Sequence, residues 1–370
     1  MNQIRQEKNS LKLEWNGKPE KITLTPSVLE IKEFISYKSS NLNQLKKINP
    51  DYWSNLLIKG NNLNTISSLL EAPFKKMIQK SGGIKLAYID PPFFTGQDRF
   101  LNKSISKNPN INSNEKIAYK DKWNNSIETY LSTLYKQIFL INKILKTGGY
   151  LYVHVDYRTS SPIKLILDEI FGHENLIGYI IWVLNNGAKG RKNWSNQHND
   201  ILCYSKGKNS GINFESPLLR EPFSKTSLKT HFTKKDNEGR NYRIRKINGK
   251  EYKYYADEGK IIGSVWDDCN SMNANSPIMK ESTGYPTQKP LKLLERIISA
   301  STNPGDIVAD FFCGSGTTLH AAQSLDRKWI GVDVSEKAIE ITKERIKSFQ
   351  KQYLNRDHES SFLLHEKKIK

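Results

Sequence analysis

The sequence predicts an α/β protein with a doubly wound, mostly parallel sheet and one inserted region, on the basis of three features. Short apolar segments alternate with segments that carry apolar residues at helical spacing, which is the order of βαβ units. Several of the short segments are apolar almost throughout, as expected for strands covered on both faces. The alternation stops between about residues 184 and 284 and then resumes. An insertion therefore divides the sheet.

The elements follow in order from residue 56. Leu56–Lys59 and residues 84–90 are predicted strands, and a glycine turn and a helix follow the first of them. A helix with an apolar stripe from Leu131 to Leu145 ends before two glycines and leads into a strand at Tyr150–Val155. Further helices are expected at residues 27–40, 161–172, 289–302, from 317 and after 335, and further strands at 176–184, 200–206, 307–311 and 329–333.

The charge balance favours a polyanionic partner. Lys and Arg number 57 against 38 Asp and Glu, a net charge of +19. This favours nucleic acid first and an anionic membrane surface second. No stretch has the length or apolarity of a signal peptide or a membrane span, which weakens the case for a membrane surface. Cys203, Cys269 and Cys313 lack zinc-site spacing, so we expect a reduced, cytoplasmic protein without a metal.

One loop has the composition of a nucleoside site. A predicted strand at 307–311 leads into Gly314-Ser315-Gly316 and then into a helix, so a ligand can approach the backbone and the helix start. Position 319 is Leu, which breaks the dinucleotide fingerprint, and no P-loop is present. Asp333 ends the next strand 23 residues after Asp310, where a carboxylate reaches ribose hydroxyls in doubly wound folds. Taken by itself, the loop also fits an ordinary tight turn between a strand and a helix.

Three motifs together resemble a known family. They are DPPF at 90–93, TQKP at 287–290 and DFFCGSGTT at 310–318. They are similar to the hallmark motifs of amino-group DNA methyltransferases that use S-adenosylmethionine, and their order is that of the permuted beta group, including type III modification subunits. The resemblance covers about residues 52–346. It implies a Rossmann-like methyltransferase sheet with an inserted DNA target-recognition region.

Composition and the resemblance together predict a division of the chain. Residues 1–50 are polar and would be an N-terminal arm or small cap. Residues 51–184 would be the catalytic half of the methyltransferase domain and 185–284 the target-recognition region. Residues 285–350 would be the cofactor-binding half, and 351–370 a solvated basic tail.

The family's catalytic motif maps onto Asp90, Pro91, Pro92 and Phe93. An exocyclic amino group is a poor nucleophile, and the base must be flipped out of the duplex before it can react. Asp90 and the Pro91 carbonyl would accept hydrogen bonds from the amino group and aim its lone pair at the methyl donor. Pro91 and Pro92 would hold these acceptors still, and Phe93 would stack on the base. Proton loss would follow methyl transfer.

For the cofactor, the resemblance places Thr287 and Lys289 at the methionine end, Asp310 near the amino acid portion and Asp333 on the ribose. Asn61 stands where the family has an acid near the adenine. The full set assigned to the cofactor is Asn61, Thr287, Lys289, Asp310, Phe311, Phe312, Gly314, Gly316, Thr317 and Asp333.

DNA contacts are expected mainly from the insertion, which is basic and aromatic. The polar stretch 97–121 follows the catalytic motif and is predicted to be a mobile loop that closes on DNA rather than core. The candidate DNA-binding residues are Lys189, Arg191, Lys192, Arg240, Arg243, Arg245 and Lys246.

The target base and the partners are less well determined by the sequence. DPPF favours adenine N6 as the acceptor, and cytosine N4 is the second choice. The sequence also allows a non-catalytic DNA-binding subunit of the same fold, or an enzyme that acts on RNA. No nuclease motif is present. Besides double-stranded DNA, a homodimer and a restriction or recognition subunit on another chain are left open as partners.

Overall fold

The structure is a computed structural model. It describes residues 13–36, 53–100, 117–123, 126–187, 190, 192–208, 211–272, 281–352 and 361–367.

Helices and strands alternate over most of the described chain. The helices are α1 Asn62–Leu69, α2 Phe74–Lys80, α3 Ile127–Ile144, α4 Ser160–Phe171, α5 Lys225–His231, α6 Leu291–Ser301, α7 Thr317–Ser324 and α8 Glu336–Gln352. The strands are β1 Leu29–Ser36, β2 Asn55–Lys59, β3 Ile84–Ile89, β4 Arg99–Phe100, β5 Ile117–Tyr119, β6 Leu145–Val155, β7 Leu176–Val183, β8 His198–Ser205, β9 Arg220–Glu221, β10 Lys234–Lys235, β11 Asn241–Ile247, β12 Lys250–Tyr255, β13 Lys260–Ile261, β14 Val265–Trp266, β15 Ile307–Asp310, β16 Lys328–Asp333 and β17 Ser361–Lys367.

Ten strands form the central sheet, in the order β1-β17-β2-β16-β15-β3-β6-β8-β7-β14. The strands from β17 to β6 run parallel. Strand β8 is antiparallel to β6 and to β7, so β7 again has the direction of β6. The predicted doubly wound, mostly parallel α/β fold is confirmed.

Helices cover the sheet on both faces. One apolar cluster joins α1, α3 and α4 to one face, and a second joins α6, α7 and α8 to the other. The predicted apolar stripe on α3 is buried at Leu131, Leu134, Ile138 and Ile141, and Ser126 caps the start of the helix by accepting a hydrogen bond from Thr129 N. Leu145, which was predicted as part of the stripe, instead begins β6.

The order of the strands positions the site. Strands β15 and β3 are parallel neighbours, with Asp310 opposite Tyr88, although more than 200 residues separate them in the sequence. On one side of this pair lie β16 and β2, and on the other lies β6. The next sheet strand in the chain after β15 is β16, and the next after β3 is β6, so the chain leaves this pair of strands in opposite directions. Ligands of open α/β sheets bind outside the carboxyl ends of the strands at such a point.

The region between β8 and α6 forms a separate small unit. It contains the two-stranded pair β9 and β13, helix α5 and a three-stranded antiparallel sheet of β10, β11 and β12. Asn248 and Gly249 both have positive φ and form the tight turn between β11 and β12. The unit returns to the central sheet through β14, which pairs with β7.

Two expectations about the chain ends were wrong. The helix predicted within residues 27–40 is strand β1, which pairs antiparallel with β17. The predicted solvated tail, residues 351–370, includes the end of α8 and strand β17, which extends the sheet beside β2. Short apolar runs fit helical and strand periods equally, and a partner strand from the other end of the chain decides between them.

Residues 13–28, which belong to the predicted N-terminal arm, contact helices α1, α3 and α4. The Trp15 indole donates a hydrogen bond to Ser132 Oγ at 2.8 Å, and Lys18 Nζ lies 2.7 Å from the Glu169 carboxylate.

Candidate active site at the carboxyl edge of the sheet

A cleft of about 930 Å³ opens at the carboxyl edge, above the ends of β15 and β3. It is lined by every residue predicted for catalysis or cofactor binding except Gly316. The volume is in the range of small-molecule sites. The topology therefore brings three motifs from distant parts of the chain to one cavity.

Asp90 follows β3 directly and is partly paired. Its Oδ2 accepts a hydrogen bond from Lys289 Nζ, whereas its Oδ1 is buried and has no partner within the described part of the chain. Burial raises the pKa of Asp90, and the Lys289 ammonium opposes part of that rise. One oxygen is thus neutralised by a cation and the other remains free to accept a hydrogen bond.

Lys289 connects the TQKP segment to the catalytic motif. Besides the contact with Asp90, its Nζ donates to the Thr287 carbonyl at 3.2 Å, and Thr287 itself adopts a positive φ of 60°. Only 9% of the Lys289 side chain is exposed. The resemblance placed this lysine at the methionine end of the cofactor; in the structure its ammonium contacts the Asp90 carboxylate.

An aromatic group supports Phe93. Its ring stacks on His154 at a centroid distance of 5.8 Å, and His154 in turn meets Trp182 edge-on at 5.3 Å. His154 is buried and hydrogen-bonded through both ring nitrogens, to Tyr88 and Asn199. Burial, helped by the charge of Lys289, holds the pKa of His154 well below its ordinary value, so the ring is neutral and structural.

Asp310 ends β15 and is held by the start of the loop and of α7. Its Oδ1 accepts a hydrogen bond from Phe312 N at 2.9 Å and its Oδ2 accepts one from Thr318 Oγ1 at 2.5 Å. Burial raises the pKa of Asp310 to about 7, although both hydrogen bonds oppose the rise. The site consequently holds a carboxyl group that titrates near neutrality.

Asp333 ends β16 and organises the glycine loop. Its Oδ2 accepts from Gly314 N at 2.9 Å and its Oδ1 from Ser335 N at 2.8 Å. Burial raises the pKa of Asp333 to about 6. Asp90, Asp310 and Asp333 thus face a cleft in which Lys289 neutralises one of them. A ligand that carries positive charge and hydroxyl groups would complement this set.

The two loop glycines have different roles. Gly314 lines the cleft at a φ of 50°, and a Cβ there would lie 3.2 Å from the Tyr285 ring. Gly316, at a φ of 74°, faces away from the cleft, where a Cβ would lie 2.7 Å from Thr342. Gly316 therefore lets α8 approach the loop and is not part of the lining.

Sequence reasoning missed Asp121, which does not line the cleft itself but is buried between the lining residues Lys120 and Trp123. It is 1% exposed, and it accepts hydrogen bonds from Phe94 N, Thr95 N and the Trp123 indole at 2.9–3.0 Å. The expectation that residues 97–121 contain no core was wrong at this position. Nothing in the sequence distinguishes Asp121 from its polar neighbours. Residues 101–116 of the predicted mobile loop lie outside the described residues.

Two of the arginines predicted to contact DNA are engaged within the inserted unit. Arg240 pairs with Asp257 at 2.9 Å and Glu258 at 3.1 Å. Arg243 lies about 5 Å from the rings of Phe223 and Phe232.

The remaining predicted DNA contacts divide into two groups. Lys192, Arg245 and Lys246 are exposed. Lys189 and Arg191 lie outside the described residues.

The described residues contain neither a cluster suited to metal binding nor a helix suited to crossing a bilayer. Within them, no group of three or more His, Cys, Asp or Glu side chains is arranged to hold a metal ion. No helix in the same ranges has the length and apolarity needed to cross a bilayer.

A comparison with protein families matches the region of the chain that contains the three motifs of the cleft. A family model described as DNA methylase, of the N6/N4 methyltransferase class, matches residues 84–344, which is more than half of the chain. The chain belongs to the DNA methylase family. The predicted resemblance to amino-group DNA methyltransferases is thereby confirmed, and the matched region contains all three motifs of the cleft.

Individual relatives cover different shares of this DNA methylase. The type II methyltransferase M.EcaI of Enterobacter cloacae is 31% identical over 300 residues, 68% of this chain and 62% of M.EcaI. The Mod subunit of the type III restriction-modification enzyme EcoP15I of Escherichia coli is 25% identical over 370 residues, 74% of this chain and 56% of the subunit. The DNA adenine methyltransferase YhdJ of Escherichia coli K12 is 26% identical over 277 residues, 74% of this chain and 79% of YhdJ. The chain thus spans only between half and two thirds of the length of M.EcaI and the Mod subunit.

Proposed function

We propose that the chain is a site-specific DNA methyltransferase that transfers a methyl group from S-adenosylmethionine to N6 of a flipped adenine. The observation that carries the proposal is the state of Asp90. A buried carboxylate oxygen without a partner costs free energy, and such groups in native proteins call for an explanation. An acceptor poised for the amino hydrogens of a substrate base supplies one.

The cleft fits the proposed cofactor. When bound, S-adenosylmethionine supplies a methyl group on a positively charged sulfur. Asp310 and Asp333, whose pKa values are raised by burial to about 7 and about 6, would be stabilised in their ionised forms by a cation. Gly314 leaves the backbone open to a ligand, and the Asp333 carboxylate has acceptor capacity left for ribose hydroxyls.

The residues near Asp90 would orient the base. Asp90 Oδ1 accepts a hydrogen bond from the amino group, and Lys289 keeps the carboxylate ionised by neutralising Oδ2. Phe93, held by His154, offers an aromatic surface on the wall of the cleft. After methyl transfer the amino nitrogen carries a proton with a low pKa, and Asp90 Oδ1 is positioned to accept it.

Adenine is proposed over cytosine because DPPF is the form typical of adenine-N6 enzymes, and one relative is named a DNA adenine methyltransferase. A restriction subunit on another chain is proposed as a partner because a further relative is named a Mod subunit. The homodimer considered from the sequence stays a prediction. Cys203, Cys269 and Cys313 are free and buried, and the cytoplasmic location stays a prediction.

Product analysis tests the proposal. The protein is incubated with labelled S-adenosylmethionine and unmethylated duplex DNA, and the DNA is digested to nucleosides. We expect N6-methyladenine; N4-methylcytosine would refute the choice of base, and absence of label would refute the activity.

A variant tests the role of Asp90. Asp90→Ala should abolish transfer and leave cofactor binding, measured by calorimetry, within a few-fold of wild type. Retained transfer would exclude Asp90 as the amino acceptor. Methylation-aware sequencing of DNA from cells that express the protein gives the target site.

A further inference from the structure

One aromatic side chain at the carboxyl edge is not part of the cleft. The chain has seven tryptophans, and all seven lie in described residues. Six of them are buried or half-buried, whereas Trp194 is 99% exposed. A tryptophan side chain offers up to about 250 Å² of mostly apolar surface to a partner.

The loop that carries Trp194 lies on the same edge as Asp90. Strand β7 has the direction of β6 and β3, so the connection from β7 to β8 leaves the sheet at its carboxyl edge. In the sheet β7 is three strands from β3, which corresponds to roughly 14 Å. The contacts from Phe93 through His154 to Trp182 span this distance and end on β7.

Hydrogen bonds of Leu184 and Asn185 anchor the start of this loop. Leu184 N donates to Gln197 O at 2.8 Å, and Asn185 Nδ2 donates to Asp267 O at 2.6 Å. Nearer the tip, Gly190 N donates to Ser195 Oγ at 2.9 Å. Lys192, Asn193 and Trp194 are exposed between these two residues. The residue after Trp194 is thus hydrogen-bonded within the loop, which restrains the backbone that carries the indole.

We infer that Trp194 stacks in the DNA duplex beside the flipped adenine and stabilises the gap that the adenine leaves. The inference rests on the proposed function. Extrusion of a base removes its stacking and pairing, and an aromatic ring of similar thickness can replace the stacking. Exposed Lys192 lies two residues away, and the chain carries a net charge of +19, so a duplex is a more suitable occupant than another apolar surface.

The test compares two duplexes that carry the target site found by sequencing. In the first the target adenine is paired, and in the second it faces an abasic position, so that little energy is needed for flipping. Single-turnover methyl transfer is measured for wild type, Trp194→Ala and Trp194→Phe. The matched control is Phe214→Ala, which removes a 40% exposed aromatic side chain. Its neighbour Asn213 bonds to Ala300 near the end of α6, at the amino edge of the sheet.

We expect Trp194→Ala to slow transfer at least tenfold on the paired duplex and to be within threefold of wild type on the abasic duplex. Trp194→Phe should stay within threefold on both, and Phe214→Ala should not differ from wild type. A Trp194→Ala rate equal to wild type on the paired duplex would overturn the inference and leave the proposed function intact. An equal loss on both duplexes would also overturn it, since a role in stability or general affinity does not depend on pairing.

Two other outcomes can be distinguished from these: failure of the proposed function, and a role of Trp194 in oligomerisation. If wild type transfers no methyl group to either duplex, the proposed function itself fails. If Trp194→Ala converts an oligomer to a monomer in sedimentation and leaves transfer unchanged, a second copy of the chain covers Trp194, and the DNA inference is wrong.

Discussion

Replacement of Lys289 by methionine tests whether this lysine keeps the catalytic carboxylate ionised. The substitution removes the charge but retains most of the apolar side-chain volume. The pair is well shielded, since 9% of the Lys289 side chain and 17% of the Asp90 side chain are exposed. Loss of one partner of a buried ion pair costs about 3–5 kcal/mol, because the other charge remains buried without compensation.

The pH dependence gives the sign of the effect. Burial already raises the pKa of Asp90 above its unfolded value, and Lys289 opposes that rise. Without the lysine the folded pKa rises further, so the variant binds a proton more readily than wild type does. The stability deficit of Lys289→Met should therefore be largest at alkaline pH, where Asp90 is ionised, and should shrink as pH falls below the raised pKa. In the same way, the acidic limb of kcat against pH should move to higher pH.

The assay combines kcat from labelled methyl transfer with urea unfolding at pH 5 and pH 8. Lys337→Met is the matched control, because Lys337 also lines the cleft but pairs with Glu340 at 2.9 Å and is 46% exposed. We expect the control to change neither profile. If Lys289→Met has the same acidic limb as wild type and the same stability deficit at both pH values, Lys289 does not control the ionisation of Asp90.

Two further predictions concern Gly316 and Asp310. Gly316→Ala should lower the free energy of urea unfolding by about 2 kcal/mol or more, since a positive φ and contact with Thr342 both oppose a Cβ. Gly305→Ala should lower the free energy of unfolding by less. Gly305 has a φ of 84°, but a Cβ there would meet no other atom, so only backbone strain opposes it. The affinity for S-adenosylmethionine, measured by calorimetry, should rise from pH 6 to pH 8, because Asp310 has a pKa of about 7 and its ionised form favours a cation. Asp310→Asn should flatten that dependence, and an unchanged slope would contradict it.

Much of the fold follows from local pattern. The strands at β3 and β15 are apolar runs that end in an acid, and α3 carries a regular apolar stripe, so both the element types and their order could be predicted. The chain ends could not. Leu29, Ile31, Phe34 and Ile35 fit a helix or a strand, and only pairing with β17 decides for the strand.

In the candidate site, too, some residues could be predicted from the sequence and others could not. Motif residues such as Asp90 and Gly314 were found from the sequence because their chemistry needs a particular residue type at a strand end. Asp121 was not found. Its role is to accept hydrogen bonds from the backbone amides of Phe94 and Thr95, and no local sequence pattern predicts contacts with residues so far away in the chain.

The sequence by itself determined the family of this DNA methylase, the residues of its three motifs and the order along the chain of the sheet strands β2, β3, β6, β7, β8, β15 and β16. Only the tertiary structure decided that Lys289 contacts Asp90, which lies 199 residues earlier in the chain. It also decided that Gly316 faces α8 and that Trp194 stays exposed while the other tryptophans pack. The physical reason is that residue type sets what a side chain can do, whereas its charge state and exposure depend on neighbours that folding brings from distant segments.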